Sequence, residues 1–357
     1  MNARELVLDA FRAACARVDL AGRVRAAVRG KTPLLVIACG KAASAMLAGV
    51  DHFERALVVI PRGFTPPPHD PRVMMIEASH PVPDESSVRA ADAALALAAS
   101  DSASERLFLV SGGTSSLLCA PNVGLERMRA ITRQLLDADA SIGDLNVVRR
   151  HLSRVKGGGL ARACGAHPRR TLIVSDVLSN AAHDVGSGPS VADPTTIADA
   201  KRVAARVGID GDLPWVETWK TPERFEILAD PAAFAELVRE ELARRGATDV
   251  ELTPAEPALR IPSNPGRGGR CTHAAAVASL TLRPGEVFAA LATDGVDGPS
   301  QTGGAIVDRR LPGALEAIAR FDTAPLHEAA GTAVPSAPTG LNFTDLHIRL
   351  GLDGDRV

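Results

Sequence analysis

The chain has 357 residues, 46% hydrophobic and 23% charged, with a formal net charge of -2 at pH 7. That length accommodates two domains of ordinary size, and the near-neutral balance gives no electrostatic footprint for nucleic acid or an anionic membrane surface. With no Tyr, 2 Trp and 9 Phe there are few platforms for stacking bases, so the core has to be built mainly from Ala, Val, Leu and Ile.

The amino end, MNARELVLDAFRAACARVDLAGRVRAAV, carries charges throughout and predicts an amphipathic helix rather than a signal peptide. TPLLVIACG (32–40) predicts a strand followed by a helix, and RALVVIP (55–61) and RVMMIEA (72–78) predict two more strands joined by a proline-rich loop. DESSVRAADAALALAAS (84–100) predicts a helix with Asp84 as its N-cap. RLFLVSGG (106–113) and RTLIVSD (170–176) are further strands, with helices over LERMRAITRQLLDA and LNVVRRHLSRV between them. Strands alternating with helices predict an α/β fold with a doubly wound, mainly parallel sheet. From 208 to 227 the pattern breaks around both tryptophans, which reads as a linker or edge region. PAAFAELVREELARRG (231–246) resumes as a helix, and DVELTPA, EVFAALATD and AIVD give shorter strands of a second, smaller α/β domain. The domains are expected at 1–220 and 221–357. No stretch approaches the ~18 apolar residues of a membrane span. The five cysteines (Cys15, Cys39, Cys119, Cys164, Cys271) form no C-x-x-C pair, which disfavours disulfides or zinc and fits a reducing cytoplasm.

Polar, glycine-rich turns follow several apolar runs, where ligands collect in doubly wound sheets. In CGKAAS, Gly40 and Lys41 mark a strand end and helix start; Lys41 reads either as a surface lysine or as a cation reaching an anion there. SGGTSSLL, with Ser111, Gly112, Gly113, Thr114 and Ser115, reads equally as an N-capped turn or as an anion cradle; it is neither a Walker A loop nor a G-x-G-x-x-G dinucleotide turn. In VKGGGLA the glycines end a helix, with Lys156 beside its last carbonyls; the sharper alternative is a phosphate-facing Lys156 next to Gly157. Asp176 stands at a strand end, as a helix cap or as a magnesium or hydroxyl partner, and the long loop after it runs through Ser187 and Gly188. NPGRGGRCTH places Arg267 and Arg270 among glycines, suited to phosphate or carboxylate when not simply solvated; Cys271 and His273 there have no spacing that supports a metal or a nucleophile. LATDGVDGPSQTGG sets Asp294 and Asp297 in a turn after an apolar run, as turn formers or as part of a metal and phosphate site. Lysine, arginine, strand-end aspartates and glycine turns together suit phosphoryl transfer.

In order along the chain, GKAASAM, EASHPVPDE, SGGTSSLL, VRRHLSRVKGGGLA, SDV with SGPS and DPTT, GRGGR, ATDGVDGPSQTGGA and PTGLNFTDL resemble the microbial glycerate 2-kinases, whose carboxyl-terminal half is the MOFRL domain. The resemblance runs from about Gly40 to Leu346. It implies a cytoplasmic enzyme that moves the γ-phosphoryl of ATP to the 2-hydroxyl of D-glycerate with Mg²⁺, and an active site in the cleft between the two domains. It implies a small hydroxy acid as partner, with no nucleic acid or membrane, and leaves a homodimer open. By motif, Lys41, Arg270, Asp176 and Asp294 become the catalytic set, and Asp176, Asp294 and Asp297 the metal set. The nucleotide and phosphate set is Gly40, Ser111–Ser115 (with Gly112, Gly113 and Thr114), Lys156, Gly157, Ser187 and Gly188. Three departures stand out. Asn180 and Ala181 occupy positions that are acidic in the family, Cys271 and His273 stand where it has Asn and Glu, and Thr114 replaces a glycine. They motivate a second hypothesis, a non-catalytic or repurposed member that binds a nucleotide or an organic acid. A third, an NAD(P)H-dependent hydroxypyruvate reductase, takes up a label that bacterial members often carry, but no dinucleotide fingerprint is present.

Overall fold

The computed structural model describes residues 2–30, 34–209, 211–257 and 259–351. Met1 of the expected first helix, Thr32 and Pro33 of the expected first strand, Asp210 of the expected linker, and Ala258 and 352–357 of the expected second domain lie outside the described residues. The chain divides into two compact units, one of Leu20–Ala229 and the other of Met1–Asp19 with Asp230–Val357. Both differ from the division expected at 220/221. The first helix, α1 (Ala3–Arg17), belongs with the carboxyl-terminal residues.

The parallel unit runs α2 (Leu20–Val28), β1 (Leu34–Cys39), α3 (Ala43–Leu47), β2 (Arg55–Pro61), β3 (Val73–Ala78), α4 (Glu85–Ala98) and β4 (Glu105–Ser111). It continues through α5 (Thr114–Leu117), α6 (Leu125–Asp137), α7 (Ile142–His151), α8 (Gly159–Ala163), β5 (Arg169–Val174), α9 (Ile197–Arg206) and β6 (Phe225–Ala229). Its six strands are all parallel, in the order β3-β2-β1-β4-β5-β6. β1 is buried along its whole length, which is why it reads as an unbroken apolar run and not as an alternating one. Asp84 caps α4 through the Ser86 N–H, as expected, and Ala90, Ala91, Ala94 and Ala98 of that helix join Ile37, Leu57 and Phe108 in one core. Small helix residues let the helix approach the sheet closely, which compensates for the scarcity of large aromatics. β6 corrects the linker reading. Its exposed start, Phe225 and Glu226, hides the strand signal, yet it pairs with β5 as the edge of the sheet.

The second unit continues with α10 (Pro231–Arg244), β7 (Asp249–Ala255), α11 (Arg270–Ser279), β8 (Glu286–Ala292) and β9 (Thr302–Val307), then α12 (Ala314–Ala319), α13 (Thr323–Ala330), β10 (Ala333–Pro335) and β11 (Asp345–Gly351). Its sheet, β10-β9-β8-β11-β7, is antiparallel at every pairing. β11 enters between β7 and β8 and sets Asp345 opposite both Ala255 and Ala292. α1 belongs here because it packs on α10. The Phe11 ring meets Phe234 edge-on at 5.8 Å, Phe234 stacks on Phe343 at 5.1 Å, and Arg17 reaches Glu240 (2.6 Å) and Glu241 (2.9 Å). No described helix is long and apolar enough to cross a membrane, and all five cysteines are free.

Candidate active site

In the parallel unit the strand order reverses between β1 and β4, so the turns that leave their carboxyl ends lie side by side. Gly40 is required there: its φ is +119°, and a Cβ would stand 2.2 Å from Ser111 Oγ. The Lys41 N–H donates to the Gly112 carbonyl (2.9 Å) and the Ala42 N–H to Ser111 Oγ (3.1 Å), which locks the two turns together. Gly113 has φ +89°, and a Cβ on it would meet His80 Cδ2 at 3.3 Å and Lys41 Cγ at 3.5 Å. Lys41 and His80 therefore flank the turn that opens α5. Among the described residues, the N–H groups of Gly113, Thr114 and Ser115 have no acceptor. Unfilled backbone N–H groups beside a lysine form a cradle for phosphate or carboxylate oxygens.

The hydroxyls of this loop serve a different purpose from the one expected. Ser111 Oγ accepts from Ala42 and donates to the Cys39 carbonyl (3.3 Å); Thr114 Oγ1 donates to the Cys39 (2.8 Å) and Ser111 (2.7 Å) carbonyls. Both side chains are buried and hold β1 to β4. Ser115 remains half-buried, with its Oγ 2.8 Å from Ser187 Oγ. Ser187, at φ +63°, also reaches Asn146 Oδ1 (3.3 Å). The carbonyls of Ser187 and Gly188 accept from the N–H groups of Gly157 (3.0 Å) and Gly158 (2.7 Å), so the two glycine loops are clamped together.

Lys156 corrects the reading that sets it beside the last carbonyls of its own helix. α7 ends at His151, and Lys156 Nζ donates to the carbonyls of Ser115 and Leu118 (3.1 Å) and to Ser115 Oγ (3.3 Å). Its ammonium holds the end of α5 rather than the end of its own helix. Burial, reinforced by Arg149 and Arg150, pushes its pKa down to about 7. Nearby, buried Arg150 pairs with Asp193 (3.1 Å) and Asp184, tying α7 to the long loop after β5. Asp176 lies half-buried at the start of that loop.

In the antiparallel unit, the end of β8, the start of β11, the end of β7 and the start of α11 converge. Arg270, the first residue of α11, donates to Glu256 (2.8 Å) and holds Asp345 through Nε (2.8 Å). Burial works against its charge, but Asp345 and Glu256 outweigh that and hold the guanidinium firmly protonated. Asp345 is pushed up to about 6, first by burial, then by Asp297 and Asp294, against the pull of Arg270. Carboxylates are thus in excess over cations here. Asp294 is buried and accepts from the Val296 N–H (2.9 Å). Asp297 is a helix cap: its two oxygens accept from the N–H groups of Cys271 and Thr272, each at 2.9 Å, at the start of α11. Cys271 is fully buried with its thiol pushed up strongly by burial, and His273 stacks on Phe321 at 5.2 Å with its pKa lowered by burial, so both are packing residues.

The three expected metal ligands are divided between the units, Asp176 in one and Asp294 with Asp297 in the other. Among the described residues, no three His, Cys, Asp or Glu side chains group to hold a metal ion. The sequence reading also missed Asp345, Glu256 and His80. His80 and Asp345 lie within the motifs EASHPVPDE and PTGLNFTDL, which was the signal available. For Glu256 no local signal exists.

Two family models match the chain: "Domain of unknown function (DUF4147)" over residues 4–217 and "MOFRL family" over 250–345. A protein of Agrobacterium vitis named "Putative hydroxypyruvate reductase" is 31% identical over 97% of this chain and 94% of its own length. The D-glycerate 2-kinase of Thermotoga maritima is 30% identical over 89% of this chain and 90% of its own. The crystal structure of a Thermotoga maritima glycerate kinase superposes with a TM-score of 0.79 at 24% identity, covering 97% of this chain and 99% of that one, and so shares its fold. With these matches spanning nearly its whole length, the chain belongs to the DUF4147–MOFRL family, which includes proteins named glycerate 2-kinase.

Proposed function

We propose that the protein is an ATP-dependent kinase that phosphorylates the 2-hydroxyl of D-glycerate or a closely related hydroxy acid. The observation that carries the reading is the unfilled N–H cradle of Gly113, Thr114 and Ser115 beside Lys41, at the point where the strand order reverses. Such a cradle suits the oxygens of a polyphosphate, and Lys41 supplies the charge that their transfer requires. In the other unit, Arg270 presents a guanidinium held charged by Asp345 and Glu256, suited to the acid's carboxylate or to a phosphate. Asp294 and Asp176 are the carboxylates assigned to orient the acceptor hydroxyl, take its proton or hold a metal ion; Asp297 caps α11. The carboxylate excess around Asp294 and Asp345 suits Mg²⁺, which accepts one or two carboxylates and completes its shell with water and phosphate. When bound, Mg²⁺ would neutralise the phosphate oxygens. Asn180 and Ala181 add no acid to the Asp176 segment, which leaves Asp294 as the principal candidate for holding it.

A second reading, an NAD(P)H-dependent reductase, is favoured by one observation: the order 3-2-1-4-5-6 is that of dinucleotide-binding sheets. Against it, the first turn reads CGKAAS, with Gly40 packed against Ser111 and a lysine next in line, and lacks the glycines that admit a pyrophosphate. ADP release measured over D-glycerate, L-glycerate, erythronate and tartronate, with NADH oxidation on hydroxypyruvate in parallel, separates the readings. ADP release with D-glycerate and no NADH oxidation is expected; the reverse result replaces the kinase by the reductase. Binding of ATP or an acid without turnover of either kind would leave the non-catalytic reading.

A further inference from the structure

A cavity of about 400 Å³ opens within the parallel unit, and neither Lys41, Gly113 nor Ser187 lines it. Its apolar wall comes from Pro81, Val82 and Pro83 ahead of α4 and from Met128 and Leu136 of α6. Val82 and Leu136 are more than half exposed, an unusual state for apolar side chains facing a common opening. Arg149 and Lys156 reach the same cavity from α7 and from the glycine loop. Arg149 makes one hydrogen bond, to the Ser115 carbonyl at 3.3 Å, and among the described residues it has no carboxylate partner. A guanidinium has five N–H donors, so most of its capacity is unused. Farther along α6, Arg133 has no partner among the described residues, and Arg129 is held by Glu126 (2.5 Å) and the Pro83 carbonyl. The lining contains a single acid, Asp137. Arg133 and Arg149, with Lys156 beside Arg149, face a single lining carboxylate in an apolar hollow within the usual size of small-molecule sites.

We propose that this cavity binds an organic phosphate, its phosphoryl group held by Arg149 beside Lys156 and its organic body lying against Met128, Leu136 and the 81–83 segment. Two neighbouring cations favour a dianion over a single carboxylate, and the planar fork of arginine matches phosphate oxygens in pairs. The low proton affinity of Lys156 agrees with this, since a bound dianion would restore it. Two sources share that chemistry: a nucleotide, whose nucleoside would fill the hollow, and a phosphorylated hydroxy acid. The site rests on the cavity and its lining cations, and the choice of these two sources rests on the kinase reading.

Calorimetric titration of the full chain with ADP, 2-phosphoglycerate and inorganic phosphate tests it, in the wild type, Arg149→Gln and Leu136→Trp. ADP or 2-phosphoglycerate is expected to bind, more tightly than inorganic phosphate, and to lose affinity by roughly tenfold or more in both variants. A response confined to ADP assigns the nucleotide, and one confined to 2-phosphoglycerate assigns the acid. Failure of both to bind the wild type overturns the proposal. So does a loss of less than about tenfold in Leu136→Trp, because a ligand in the cavity has to meet the new indole. Leu136 is exposed, so that variant remains informative if Arg149→Gln does not fold. The kinase reading fails separately, by absence of ADP release in the wild type.

Discussion

α5 and α11 both begin at a glycine and both lie in turns read from the sequence as part of the site, yet their first N–H groups have opposite fates. At α11 the chain supplies its own anion: Asp297 takes the N–H groups of Cys271 and Thr272. At α5 no side chain enters, the neighbouring hydroxyls are spent on the Cys39 and Ser111 carbonyls, and the backbone itself stays open. Whether a helix start binds a ligand therefore depends on whether the fold has already delivered a carboxylate to it.

The largest effect should come from removing the cation of either unit. Lys41→Ala and Arg270→Gln are each expected to lower ADP release with D-glycerate by roughly 10²–10³-fold, with far-UV circular dichroism unchanged. Full turnover in a folded variant would remove that residue from the chemistry. Next, Gly113→Asp places a carboxylate at the open helix start and makes α5 resemble α11. The KM for ATP is expected to rise about tenfold more than in Gly113→Asn, which carries the same backbone strain at positive φ without the charge. Equal KM values in the two variants would mean that the cradle does not meet phosphate. Asp297→Ala should cost about 1–2 kcal/mol of stability in urea titrations while leaving the Mg²⁺ dependence of turnover in place, whereas Asp294→Asn should shift that dependence. The opposite pattern would exchange the roles of the two aspartates.

The smallest effect concerns the support behind the cradle. Lys156 has a pKa of about 7 in the fold against 10.5 for the free side chain, so between these values the unfolded chain binds the extra proton and stability rises with pH. Below that window both states are protonated and its contribution no longer changes. Lys156→Met is expected to flatten the rise between about pH 7.5 and 9.5, read from urea midpoints; an unaltered slope would assign it to other groups.

Much of the parallel unit was legible because strands buried on both faces read as apolar runs, as β1 does throughout and β4 does over 107–110. β6 was not, since an edge strand needs only half of its side chains buried. Lys41, Gly40 and Gly113 could be picked out because a turn at a strand end restricts residue type, and Arg270 by its glycine-rich setting. Their partners could not. Glu256 and Asp345 stand 14 and 75 positions from Arg270, and nothing local to either marks the contact.

By itself, the sequence determined the succession of strands and helices, the glycine turns that admit close backbone approach, and the membership that its ordered motifs imply. Tertiary structure alone decided that α1 packs with α10, that β11 enters between β7 and β8, and which polar groups are already satisfied. Residue type sets what a group can bond; only the packing of distant segments sets what remains for it to bond. That is why Thr114 and Asp297, ligand-like in sequence, serve the fold, while the backbone N–H groups of Gly113 to Ser115 are left without an acceptor among the described residues.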